Sequence, residues 1–340
     1  MGANGCRLNQ CGTIEVPANS RIARLATANA TDDPGDMSNP NAANGANSTR
    51  AMARFRTPFQ VTLGEGAGEL PINQQLFEAA RSGAYQDVVK AVSRGADINA
   101  KSLRGMTALM LAAGSSSRSS LDTVRFLVEA MSLVEEKDAS GWSAFLHACR
   151  NSQTSIVEYL LESSCSLKAR SNDARSGAML ATMDSADSLV QDLLNKRIDM
   201  GKKDDNGWSV MFYACEHKRV ELVKWLIKRN ASVKDKAKDG TSCLMLAATN
   251  GSVKIAAMLT KRNANMNSKD SFGCTALVIA LQSRQTEVAD YLIEEGADVT
   301  IKNANNRDAA EVAEQMGMLA IKVRIETKVR KNLDEDGQPI

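Results

Sequence analysis

From Ile72 onward the apolar positions recur with helical spacing and are interrupted at regular intervals. In the stretch that starts at Gly240, Leu244, Ala247 and Ala248 share one helical stripe at i, i+3 and i+4. Asn250-Gly251 breaks that stripe, Ile255, Ala256 and Leu259 form a second one, and residues 263–267 lead out. The pattern predicts helix, turn, helix, loop. The same unit begins again at Ile72, Gly105, Gly141, Ala174, Gly207, Gly240, Gly273 and Asn306, always 33 residues apart except for one step of 36. The longer step comes from three extra residues in the Ser-rich stretch 114–120.

Three columns test the register. Seven residues after each start stands alanine: Ala79, Ala112, Ala148, Ala181, Ala214, Ala247, Ala280 and Ala313. Nineteen after, allowing for the insertion, stand Ala91, Leu127, Leu160, Leu193, Leu226, Leu259, Leu292 and Ile325. At offset 26 the first seven units carry Ile98, Val134, Leu167, Met200, Val233, Met266 and Val299. A two-helix unit is too small to bury its own apolar face, so neighbours must stack. The expected fold is an all-α solenoid of helix-turn-helix units over residues 70–333.

The ends read as caps. The first unit keeps Leu76 and Ala79-Ala80 but places polar Asn73, Gln74 and Gln75 where they are expected to face solvent. The last ends in a helix rich in Lys322, Arg324, Lys328, Arg330 and Lys331. A polar outer face on a terminal repeat explains those charges, with a basic docking site as the alternative. Residues 1–69 show no sustained period and are rich in Asn, Ala, Gly, Ser and Asp, so they are expected to form a disordered tail. Phe55, Phe59 and Val61 make the end of this tail more apolar. Residues 334–340 form a short C-terminal tail.

Composition narrows the function. Aromatic residues make up 4% of the chain and Met numbers 15, which suits packed helices better than a sandwich of strands. Lys+Arg 42 against Asp+Glu 40 gives no overall bias toward nucleic acid. No run of 18 apolar residues predicts a membrane span. The seven cysteines are scattered without a CxxC pair and only His147 and His217 stand beside them, so no zinc site is expected and reduced thiols are. Cys149 and Cys215 occupy positions held by Ala113 and Ala248 in sister units and read as small core residues. No Gly-rich phosphate loop, nucleophile elbow or metalloprotease motif occurs, so neither catalysis nor a cofactor is expected.

The repeat resembles the ankyrin repeat. The family's Thr-Pro-Leu-His opening is similar to Thr107-Ala108-Leu109-Met110, Ser242-Cys243-Leu244-Met245 and Thr275-Ala276-Leu277-Val278. Its exit loop resembles Arg94-Gly95-Ala96-Asp97-Ile98-Asn99 and Glu295-Gly296-Ala297-Asp298-Val299-Thr300. The resemblance spans about residues 72–331. No unit keeps the Pro or the His, and the unit at Ala174 lacks the initial Gly and carries Ala178 where Leu is usual. That unit is the expected weak joint.

The resemblance implies a protein-binding groove lined by the fingers around each start and by the last turn of each first helix. By offset, the implied partner-binding residues are Met106, Trp142, Arg150, Arg175, Trp208, Glu216, His217 and Phe272. Trp142 and Trp208 take the same position two units apart, and tryptophan is a favoured interface anchor. The alternative for each indole is packing over its own finger, while Trp225 is assigned to the core or outer face. The expected role is a non-catalytic scaffold or adaptor that holds a protein or extended peptide, monomeric and cytoplasmic. A regulatory subunit of a phosphatase, kinase or ubiquitin ligase complex is the alternative. The opening Met1-Gly2-Ala3-Asn4-Gly5-Cys6 resembles an N-myristoylation signal with Cys in place of the usual Ser or Thr. Gly2 and Cys6 are therefore candidate acylation sites that would tether the chain peripherally to a membrane.

Overall fold

The computed structural model describes residues 70–184, 186–196 and 200–331, with two short pieces at 7–8 and 14–15. The chain divides into two units, Met1–Leu70 and Pro71–Ile340. In the first, Arg7–Leu8 pairs antiparallel with Ile14–Glu15. Apart from that pair, the tail expected at 1–69, the acylation candidates Gly2 and Cys6, and the C-terminal stretch 334–340 lie outside the described residues.

The second unit is eight helix pairs in sequence order. They are Ile72–Ser82 with Tyr85–Ser93, Ala108–Ala113 with Ser120–Glu129, Ala144–Arg150 with Thr154–Glu162, and Gly177–Thr182 with Asp187–Asn195. Then come Val210–Glu216 with Val220–Lys228, Cys243–Asn250 with Val253–Thr260, Ala276–Gln282 with Thr286–Glu294, and Ala309–Gln315 with Leu319–Lys331. First helices pack on first helices along the stack, and second on second except at the step from Thr154–Glu162 to Asp187–Asn195, where contact is sparse. The alanine column lies between them, no member more than 7% exposed, because only a methyl side chain lets the backbones approach this closely. No helix among the described residues is long and apolar enough to cross a membrane.

From the second repeat onward each first helix starts on a small hydroxyl or carboxyl residue two positions after the unit start, whereas the first begins after Pro71 without a side-chain cap. Thr107, Ser176, Ser242 and Thr275 accept from the backbone N–H three residues on at 3.3–3.4 Å, and Asp308 does so at 3.0 Å. Where the family's histidine is replaced by methionine, the thioether takes part in the cap. Met110, Met179 and Met245 accept the N–H of Thr107, Ser176 and Ser242 at 3.5, 3.5 and 3.3 Å. Sulfur is a weak acceptor, but it leaves no buried donor orphaned.

The fingers are joined as well. Asn172 N–H donates to the Ser140 carbonyl at 3.0 Å, Asp205 to Asp173 at 3.1 Å, and Lys238 to Asn206 at 2.9 Å. The unit at Ala174 keeps this ladder and both helices. Its small residues have a packing reason. A Cβ on Gly177 would lie 2.8 Å from both Cys149 Sγ and the Phe145 ring, and Phe145 takes the place where sister units carry Leu109, Leu244 and Leu277. The large ring of one repeat fills the room left by Gly177 and Ala178 of the next. At the N-terminal cap, Asn73, Gln74 and Gln75 are half-buried rather than solvent-facing, and Asn73 Oδ1 accepts the Asp97 N–H at 2.8 Å. That bond ties the first helix to its own exit loop.

Candidate functional site

The position one residue after each unit start lies at the base of a finger, where the backbone turns in a tight loop. Asp138 N–H donates to the Trp142 carbonyl at 3.0 Å and Asp204 N–H to the Trp208 carbonyl at 2.9 Å. In return, Asp138 Oδ1 accepts the N–H groups of Ser140 and Trp142, both at 2.9 Å. Asp204 Oδ1 accepts those of Asn206 and Trp208 at 2.9 and 2.8 Å. A carboxylate that takes two backbone donors fixes the loop, and with it the direction of the side chain at the finger base.

The second oxygen of each aspartate reaches the first helix of the same repeat. Asp138 Oδ2 stands 3.0 Å from His147 Nε2, and Asp204 Oδ2 accepts from Tyr213 Oη at 2.6 Å. The indoles then lean on these partners. Trp142 and His147 have ring centroids 5.2 Å apart, and Trp208 lies 5.4 Å from Tyr213 and 5.9 Å from Phe212. Both tryptophans are half-buried. Each indole thus packs against the first helix of its own repeat while part of the residue stays exposed. Repeats three and five carry one arrangement twice: aspartate, tryptophan and a polar ring.

Between them stands Arg175, one residue past Ala174. Its N–H donates to Ser171 Oγ at 3.0 Å, the smaller version of the aspartate loop. Its Nε lies 2.9 Å from Asp173 Oδ2 and 4.0 Å from Asp204 Oδ2, so Arg175 joins the fourth finger to the buried carboxylate of the fifth. The side chain is 28% exposed, although its Nε is buried.

Burial pushes the His147 imidazole below its usual value, and the Asp138 bond and charge offset only part of that. His147 is therefore neutral near pH 7. Burial also pushes the Tyr213 hydroxyl up, reinforced by its bond to Asp204, so it remains a hydrogen-bond donor.

The other candidate residues are less concentrated. Met106 is half-buried, and its N–H donates to Ser102 Oγ at 3.1 Å in the second finger. Arg150 and Glu216 are half-buried and His217 is exposed at the ends of the first helices of repeats three and five. The Glu216 carbonyl is occupied by Asn250 Nδ2 at 2.8 Å. Phe272 is 71% exposed on the seventh finger, two repeats from Trp208. The structure thus brings Trp142, Arg175 and Trp208 onto three consecutive, hydrogen-bonded fingers; Met106 lies on the finger before them, joined through the Ala139 N–H to the Arg104 carbonyl at 3.0 Å, and Phe272 lies two fingers beyond Trp208.

Asp138 and Asp204 were missed by sequence reasoning, yet a signal was present. Three residues before the unit start stand Ser102, Asp138, Ser171, Asp204, Asp270 and Asn303, all able to accept from the loop, with Ala237 the exception.

The sequence profile of ankyrin repeats in three copies matches residues 76–171 and 178–270, and the single ankyrin-repeat profile matches 272–304. No sequence among the curated proteins matches the chain. Among solved structures, the ankyrin repeat domain of human ASB11 is similar at a TM-score of 0.57 and 21% identity, covering 66% of this chain and 98% of that one. At that identity the likeness is one of fold.

Proposed function

Because the chain belongs to the ankyrin-repeat family, whose repeats are generally protein–protein interaction modules, we propose that it is a non-catalytic scaffold or adaptor. It receives an extended partner segment across repeats three to five. Trp142 and Trp208 are its anchors and Arg175 is the polar contact between them. The observation that carries this reading is the duplicated support: each indole is oriented by a carboxylate that is itself saturated by backbone donors and a ring partner. Anchors held rigid before binding lose little entropy on binding. Two repeats at roughly 8–10 Å each place the anchors about 16–20 Å apart, the reach of about six residues of extended chain.

Affinity capture from the protein's native source tests this. Wild type and Trp225→Ala, altered on the second helix of repeat five, should retain the same bound protein, whereas Trp142→Ala/Trp208→Ala should lose it with its helical signal intact. Loss of folding together with binding would make the indoles structural. Acylation of Gly2, with Cys6 as a second site, would add a membrane tether to the same scaffold. The intact mass of the N-terminal peptide tests that part separately.

A further inference from the structure

Each second helix runs back toward the finger end of its repeat, so its last turn and the exit loop after it line one edge of the stack. In repeats five and six the last turn closes on Lys228-Arg229 and Lys261-Arg262. The same two positions hold Glu129-Ala130, Glu162-Ser163 and Glu294-Glu295 in repeats two, three and seven. Over last turn and exit loop together, residues 195–203, 228–236 and 261–269 carry ten Lys or Arg among the described residues against one acid, Asp235. A chain of net charge +2 has gathered its positive charge along the edge of repeats four to six.

Some of these cations serve the fold. Lys236 Nζ donates to the Lys269 carbonyl at 3.1 Å, Lys269 Nζ to that of Lys302 at 3.0 Å, and Lys203 pairs with Asp235 at 3.2 Å. Arg229 lies over the Trp225 ring at 4.6 Å. Lys196, Lys228, Lys234, Lys261 and Arg262 are exposed and form no ion pair with a described residue. A cation in the last turn does offset the helix dipole, but repeats that carry Glu there form the same helix. The basic C-terminal helix differs at three of its cations. There Lys322 pairs with Glu314 at 2.9 Å, Arg324 with Asp290 at 2.6 Å, and Lys328 is bound to the Ile293 carbonyl.

We propose that the edge of repeats four to six is a second docking surface, distinct from the groove, and that it takes an extended acidic segment of a protein partner. Charge complementarity selects an anion. Lysine predominates, and its ammonium is a compact point charge that pairs with carboxylates along a chain without requiring one fixed geometry. Among the described residues the exposed large apolar side chains, such as Met131, Leu133 and Phe272, lie in other repeats, so the described part of this edge presents none of them to a bilayer. Trp225 is covered by Arg229, which removes the aromatic face that would stack on a base. Repeats stack at roughly 8–10 Å, the length of about three extended residues, so eight to ten residues of chain would lay a carboxylate across each repeat in turn.

Fluorescence anisotropy of a labelled deca-glutamate peptide titrated with the full chain tests the surface. Lys228→Glu/Lys234→Glu/Lys261→Glu should weaken binding by about tenfold or more, and raising salt from about 0.05 to 0.15 M should weaken wild type several-fold. Trp142→Ala/Trp208→Ala should bind the peptide as wild type does, which separates this surface from the groove. The corresponding triple Gln variant keeps the test open should the triple Glu variant fail to fold. Equal binding by the charge-altered variants would overturn the proposal. So would tighter wild-type binding to phosphatidylserine vesicles or to oligo-dT than to the peptide, each pointing to a different polyanion.

Discussion

Tyr213 donates a 2.6 Å hydrogen bond to Asp204, and in the repeat two units earlier His147 holds the same place against Asp138 at 3.0 Å. Two different ring side chains thus perform one task. Each receives the free oxygen of a carboxylate whose other oxygen is committed to the backbone, and each supplies a surface for a tryptophan. The polar ring can vary because the geometry needs only a donor at that height on the first helix.

Removing the buried carboxylate should therefore be costly. Asp204→Ala strands two backbone N–H groups and the Tyr213 hydroxyl, and we expect a loss of about 3 kcal/mol in denaturant unfolding. Asp204→Asn should cost about 1 kcal/mol, since Asn303 holds the equivalent loop through its amide oxygen at 3.0 and 3.1 Å. A larger loss for Asn than for Ala would refute the loop-fixing role.

His147 makes stability depend on pH. Its folded value lies below the ordinary 6.5, mainly through burial, so on acidification the unfolded chain takes up a proton more readily than the fold. Stability should fall as pH drops through the unfolded value of about 6.5 and on down to the lower folded one. His217, exposed yet lowered by partial desolvation and by the nearby Arg150 and Arg219 charges, adds a smaller contribution of the same sign. His147→Gln should flatten the slope over that window, and melting curves at several pH values would show an undiminished slope if another group were responsible.

Ala174 sits at φ 61°, where Gly105, Gly141, Gly207, Gly240 and Gly273 occupy the equivalent turn. A methyl group in the left-handed region costs about 1 kcal/mol, so Ala174→Gly should stabilise the stack by roughly that amount. An unchanged denaturation midpoint would mean that the turn tolerates alanine without strain.

Gly177→Ala should do the reverse. The new Cβ would stand 2.8 Å from Cys149 Sγ and the Phe145 ring, and overpacking of this kind costs about 1–3 kcal/mol. Phe145→Leu in the same chain should recover much of that loss, because it vacates the space the methyl needs. Simple additivity of the two substitutions would show that the residues do not share one packing problem.

Period, helix pairs, alanine column and family were legible in the chain because they arise from local rules. Helical spacing, a hydroxyl or carboxyl cap and a turn at a glycine act over a few residues, and the repeat presents the spacing eight times, the cap residue seven times and a glycine at five of the unit starts. The methionine caps and the Phe145–Gly177 exchange were not legible, since each is a contact that only folded geometry makes. Asn73 shows the same limit: a polar residue on a terminal helix reads as solvent-facing until the loop that binds it is seen.

What the linear chain decided is that it must stack: no single helix pair can bury its apolar stripe, and every repeat offers the same alanine to the next. What stacking decided is which side chains become neighbours across repeats. Trp142, Arg175 and Trp208 are 33 positions apart in sequence yet lie on adjoining fingers, and Asp204 is buried where Tyr213 and Arg175 converge. The lysines of three exit loops likewise become one edge. Burial, pairing and field are properties of what surrounds a residue, and in a solenoid those surroundings belong largely to the next repeat.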